Sequence, residues 1–418
     1  MQTNSLKLNQ SDNIIDELKN LVEQIDLGYL NSSLIKSNLS KLKKTYLELK
    51  KIWDKFDEIE FEEGSIQLDG SNLDKKSKPI NVINFIKSSF LYQNSVIKRK
   101  IKHSDKIFYF KYNNIYFYWI GSTNTNNLIE TKESDYLLAK KMFKITVCLN
   151  MFRYSLEDTV DRIIIWIPVE SSRNFVYDKI TKTNLKDASE GFEAFVASGV
   201  TWSTSQNKRI TIITRYEEVE KLLIHELVHN YHIDGSNYHE SFENLINRYR
   251  LIKNPSPNPN SDIDKKINFD YEFSIYESYT ELLSTYFYLI FSNLESDVIL
   301  TDITDRLFGQ ILVEILYSYN TIANLIKLNE YSNYDEFVEK QIFSGDICMY
   351  EYYYIKGLMY NNFELNNNFG LLTEQEEFIS IYENIIMMIE QIKVNEDKLL
   401  KEIYNYSKSQ KNFKYQIH

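Results

Sequence analysis

His225-Glu226-Leu227-Val228-His229 sets two imidazoles and a carboxylate within one short run. In an α-helix residues i and i+4 share a face, so both rings can reach one metal ion. Glu226 lies beside them, where a carboxylate can take a proton from a metal-bound water. Histidine is scarce here, with 6 in 418 residues, and those at 225, 229, 232 and 239 crowd one segment. Leu222, Leu223, Ile224, Leu227 and Val228 predict a buried helix, in which two histidines and a glutamate need partners. The plainer reading is an amphipathic core helix with incidental histidines.

The elements that must position this helix are legible on both sides of it. Glu217, Glu218 and Glu220 crowd its expected first turn, at the positive end of the helix dipole. Arg209–Arg215 reads as a strand leading directly into it, and Arg209–Thr214 is expected at a sheet edge. Asp161–Pro168 reads as a buried strand, and Phe195–Ser203 as extended. Ile107–Tyr112 and Ile115–Ile120 flank Asn113-Asn114, the pattern of a β-hairpin. Asp135–Phe152 and a short stretch near Val82–Tyr92 are expected helices. Residues 12–60 carry helical periodicity and read as a hairpin of two helices, while Asp57–Pro79 is charged and reads as a linker.

Beyond His232, Ile233–Ser236 is a turn that ends the helix. Prolines 255, 257 and 259 make Asn254–Ser261 a loop. Tyr271–Asn293, Asp305–Leu328, Tyr334–Phe343, Ile347–Tyr360 and Thr373–Tyr406 are expected helices. The fold class expected is α+β. Its divisions are a helical hairpin over 1–60, a linker over 61–79, a mixed α/β lobe over 80–235 and a helical lobe over 236–418.

A catalytic zinc usually takes three protein ligands and a water. The pattern HExxHxxGxxH fails, because its glycine position holds His232 and its last histidine position holds Gly235. A glutamate at aminopeptidase spacing fails too, since that position is Arg248. Asp234, His239 and Glu243 are nearby, and the residues alone leave them open.

Tyr276-Glu277-Ser278-Tyr279-Thr280-Glu281 resembles the second signature of the gluzincins, the thermolysin-like zinc peptidases. There a helix carries a ligand glutamate and an acid four residues on. The resemblance implies that Glu277 is the third zinc ligand and that Glu281 orients His225, although a member of that family has Asp at the second position, from which Glu281 departs. Strands followed by the HExxH helix are likewise similar to the upper lobe of zincins, whose edge strand binds extended substrate. The resemblance covers about residues 205–290. In such enzymes a histidine and a tyrosine of the lower lobe stabilise the oxyanion. Here no histidine falls between His239 and His418, and Arg306 is the only arginine after Glu277, so Tyr352, Tyr353 and Tyr354 are the candidate donors.

Net charge is -11 and the pI about 5.3, which argues against a nucleic-acid partner. Two cysteines, Cys148 and Cys348, suit a reducing compartment. The start is polar, without an apolar signal core, and no run of apolar residues is long enough to span a membrane. Abundant Asn, Ile, Lys and Tyr match an AT-rich genome, such as that of a large DNA virus or a protist. The expected protein is therefore an intracellular zinc metallopeptidase, in cytoplasm, nucleus or virion. Zn2+ would be its cofactor, Glu226 its general base and a peptide or protein its substrate. The N-terminal helices are a candidate protein contact. The rival is a catalytically silent zincin-fold structural or peptide-binding protein.

Overall fold

A computed structural model describes residues 23, 26–67, 78–121, 133–154, 159–169, 199–216, 218–238, 275–296, 303–328, 350–394 and 398–409. The described chain is α+β, with a single six-stranded mixed sheet and ten α-helices. The strands are β1 (Glu62–Gln67), β2 (Lys106–Tyr112), β3 (Ile115–Gly121), β4 (Asp161–Ile167), β5 (Gly199–Ser203) and β6 (Lys208–Thr214). The helices are α1 (Ser32–Lys55), α2 (Lys78–Ser88), α3 (Ser95–Lys102), α4 (Glu133–Arg153), α5 (Val219–Asn230), α6 (Ile275–Glu295), α7 (Ile303–Leu328), α8 (Lys356–Asn362), α9 (Gln375–Val394) and α10 (Lys398–Ser409). No described helix is long and apolar enough to cross a membrane.

The sheet order is β1-β2-β3-β4-β6-β5. β3, β4 and β6 are parallel, and both flanks are antiparallel. The sequence explains the centre. Strand β4 reads DRIIIWI and is buried at every position after the first, as a strand covered on both faces must be. Ile163, Ile165 and Ile167 join Ile210 and Ile212 on one face, where Val82, Ile83 and Ile86 of α2 and Ile97 of α3 cover them. On the other face Phe110 and Phe117 meet Phe143 of α4. The hairpin of β2 and β3 turns at Asn113, whose φ of 50° is left-handed, a conformation Asn tolerates better than most residues.

Two expectations are corrected here. Strand β6 is paired on both sides, with β4 and with β5, so Arg209–Thr214 is not an edge. On that side the outermost of the described strands is β5, paired antiparallel with β6. Pairing is a non-local choice, and the residues of β6 do not declare how many neighbours they have. Nor is the whole of 61–79 a linker. Residues Glu62–Gln67 form β1 against β2, with Glu62 opposite Lys111 and accepting from Tyr109 Oη at 3.0 Å. Cross-strand partners supply the order that this charged stretch lacks by itself.

The chain divides into two compact units. One, here the sheet unit, comprises 44–233 and 283–297 with the last three residues; the other, the helical unit, comprises 1–43, 234–282 and 298–415. Helices α1 and α6 belong partly to each. The apolar stripe Ile35, Leu39, Leu42, Tyr46 and Leu49 of α1 is buried. In the helical unit Asn38 clamps the backbone after α8, donating to the Phe363 carbonyl at 3.0 Å and accepting from Leu365 N at 2.9 Å. Lys41 pairs with Glu364 at 2.8 Å and holds that carboxyl below its usual range. The first arm of the expected hairpin lies outside the described residues apart from Glu23, as do 254–261, 334–343 and Cys348. The expected helix 373–406 is described as α9 and α10, with 395–397 outside the described residues.

Candidate metal centre

Helix α5 begins at Val219, after Glu218 takes a left-handed φ of 52°, so only Glu220 of the acidic cluster occupies its first turn. Leu223, Ile224, Leu227 and Val228 are fully buried and seat the helix against β5 and β6. It ends at Asn230, where Tyr231 N still bonds the Leu227 carbonyl at 2.8 Å and Ile233 N turns back to Val228 O at 2.9 Å. His232 has a φ of 51° and Gly235 one of 77°, so the chain leaves the helix axis there.

The i, i+4 spacing does what helical geometry requires. The rings of His225 and His229 lie 5.0 Å apart, edge to face at 81°. His225 is buried, 7 % exposed, and His229 is half-buried. Glu277, on the first turn of α6, completes the set: one ligand atom from each of His225, His229 and Glu277 lies within 4.8 Å of the other two. Two imidazole nitrogens and a carboxylate oxygen form a donor set suited to zinc, and it is the one such cluster among the described residues.

Glu226 is buried, and strand β5 holds its carboxylate. Thr201 Oγ1 donates to Glu226 Oε2 at 2.7 Å and lies 3.2 Å from the Glu226 carbonyl. Two residues earlier, a Cβ on Gly199 would fall 2.4 Å from Glu226 Oε1 and 2.7 Å from its Cγ. Glycine is required there for close approach. Strand β5 and the acid beside the two histidines are therefore in direct contact.

The other sequence candidates make contacts of their own. Glu281 is buried on α6 and accepts from Lys356 Nζ at 3.3 Å. Asp234 is fully buried; its Oδ1 accepts from Ser236 N at 3.0 Å and its Oδ2 from Thr280 Oγ1 at 2.9 Å, so it anchors the turn after α5 to α6. His239 and Glu243 lie outside the described residues. Residues Tyr350–Ile355 form a π-helical segment leading into α8. Tyr353 and Tyr354 are buried, with the Tyr353 ring 6.1 Å from that of Tyr317, whereas the Tyr352 side chain is outside the described residues. Arg306 is exposed on α7.

Sequence reasoning missed Thr201, Gly199 and Lys356. A glycine inside an apolar strand pattern often marks a close approach, and Gly199 carried that signal. Thr201 and Lys356 carried none, since their roles depend on partners far along the chain. Comparison with protein-family models, curated proteins and solved structures yields no match.

Proposed function

We propose that this protein is a zinc-dependent metallopeptidase. The observation that carries the reading is the convergence of His225, His229 and Glu277 beside Glu226. Two imidazole nitrogens and a carboxylate oxygen gathered within 4.8 Å of one another make a donor set that a divalent ion would fill. His225, His229 and Glu277 would hold the zinc, which when bound supplies a positive charge that polarises a peptide carbonyl and acidifies water.

The remaining chemistry falls to the chain. Glu226 takes a proton from the attacking water as the oxygen bonds to the carbonyl carbon. It then delivers that proton to the amine nitrogen as the carbon–nitrogen bond breaks. A substrate paired in extended form along β5 would pass directly over the Glu226 carboxylate, since Gly199 and Thr201 of that strand touch it. The hydroxyl that steadies the oxyanion is assigned to the run Tyr352–Tyr354; Tyr353 and Tyr354 belong, with Glu277, to the helical unit. Glu281, four residues after Glu277, is assigned the orienting of His225.

The test combines metal analysis with turnover. Purified protein should carry one zinc, and Glu226→Gln should keep it while losing peptide cleavage. Glu277→Ala should lose both. A Glu226→Gln variant that cleaves a peptide library at the wild-type rate defeats the mechanism. A zinc-loaded wild type that cleaves nothing favours a silent peptide-binding or structural role.

A further inference from the structure

The Thr201 hydroxyl that meets Glu226 is the end of a longer buried chain. Arg162, on β4 and 0 % exposed, donates from Nη1 to Asn230 Oδ1 at 3.0 Å and to the Asn230 carbonyl at 3.1 Å. Its Nε donates to Asn150 Oδ1 at 3.2 Å, and its guanidinium lies 4.6 Å and 4.8 Å from the rings of Tyr231 and Tyr154. Asn230, the last residue of α5, donates from Nδ2 to Thr211 Oγ1 at 3.0 Å. Thr211 Oγ1 lies 2.8 Å from Thr201 Oγ1, and Thr201 reaches Glu226.

Hydrogen counting gives this chain a direction. A guanidinium only donates, so the Asn230 oxygen faces Arg162 and its amide nitrogen faces Thr211. Thr201 has one hydroxyl hydrogen, and the two Glu226 oxygens beside it, Oε2 and the carbonyl, accept it. Thr201 must then accept from Thr211. With Thr211 and Asn230 both fully buried, bulk water does not compete for these groups. Every hydrogen runs the same way, from Arg162 toward Glu226.

We propose that Thr201 is a positioning residue for Glu226, its hydroxyl aimed at the carboxylate by a buried hydrogen-bond chain that starts at Arg162. A donor already polarised by a cationic chain holds an anionic acceptor more firmly than an isolated hydroxyl does. The role assigned to Thr201 in turnover rests on the reading of Glu226 as the base. Its role in holding the carboxylate does not.

Three substitutions in the full chain test this. Thr201→Val keeps the shape and removes the donor, and Thr201→Ser restores a donor. Asn230→Asp still faces Arg162 and cannot donate to Thr211. The readouts are kcat and KM on a cleaved peptide, zinc content, and the Glu226 carboxylate stretch in infrared spectra differenced against Glu226→Gln. Thr201→Val should lower kcat about 10-fold at unchanged KM and zinc content, and displace the Glu226 band. Thr201→Ser should return both toward wild type, and Asn230→Asp should displace the band in the same direction. Should the valine variant fail to fold, Asn230→Asp carries the test. An undisplaced band with wild-type kcat, or a serine variant as impaired as the valine one, overturns the proposal. If the wild type cleaves no peptide the peptidase reading falls, and the band alone still decides whether Thr201 holds Glu226.

Discussion

Lys356 Nζ lies 3.3 Å from Glu281 Oε1, with the lysine only 1 % exposed. Glu314 Oε2 is 3.6 Å from the same nitrogen, so one buried ammonium serves two acids. This also answers a difficulty within α6, where Glu277 and Glu281 stand at i, i+4 and like charges repel. Removing one partner of a buried ion pair leaves the other charged and unsolvated. Lys356→Met should therefore destabilise the protein by about 3–5 kcal/mol in urea unfolding. Combining it with Glu281→Gln should recover part of the loss. A loss below about 1 kcal/mol would mean the pair behaves like a surface one.

Gly199 predicts a second effect, on turnover. An alanine methyl would overlap Glu226 Oε1 at 2.4 Å, so either the carboxylate or β5 must shift. Misplacing a reacting group by about 1 Å can cost on the order of 100-fold. Gly199→Ala should lower kcat by roughly that factor while zinc content stays at wild-type level. Full turnover in this variant would show that the carboxylate position is not critical.

Gly235 predicts an effect on stability. Its φ of 77° strains any residue with a Cβ, and that atom would meet the Phe378 ring at 2.6 Å. Gly235→Ala should lower stability by about 1–3 kcal/mol, measured by the urea midpoint. An unchanged midpoint would show that the turn after α5 relaxes freely.

Metal linkage gives a third kind of measurement. An ion that binds only the folded state stabilises it by about 2.7 kcal/mol at 100-fold excess over its Kd. Added zinc should raise the Tm of the wild type and of Glu226→Gln alike. His229→Ala should show no such rise, because it removes one of the three proposed ligands while Glu226→Gln does not. Equal zinc-dependent shifts in all three would place the ion elsewhere.

Alkaline pH should weaken the fold. Burial pushes the Cys148 thiol from 9.0 up to about 12, and the Tyr118 hydroxyl from 10.0 up to about 12. Both groups ionise in the unfolded chain before they do so in the folded one. The stability they contribute is complete below pH 9.0 and is lost as pH rises from there toward about 12. Urea midpoints should fall between about pH 9 and about pH 12, and Cys148→Ala should make that fall shallower. An unchanged slope in the alanine variant would show that the thiol titrates freely.

Much of this protein was written in local pattern. The spacing of His225 and His229 sets their rings on one helical face because 3.6 residues make a turn, whatever the rest of the chain does. The unbroken apolar run of β4, the Asn113-Asn114 turn and the periodicity of α4, α6 and α7 declared their own conformations for the same reason. Glu277 was reachable too, through a second short pattern on a helix.

The tertiary structure decided what depends on partners distant in sequence. Whether β5 or β6 lies outermost is a matter of which strands find each other, and neither segment's own residues say so. The charged stretch at 62–67 became a strand because Tyr109 and Lys111 of β2 received Glu62. Glu281 met Lys356 rather than announcing a partner, since a buried charge takes whichever counterion the fold delivers. Thr201 was an ordinary strand threonine until pairing with β6 and packing of α5 put its hydroxyl between Thr211 and Glu226. Local periodicity reports which way a side chain faces. Only the folded chain supplies what it faces.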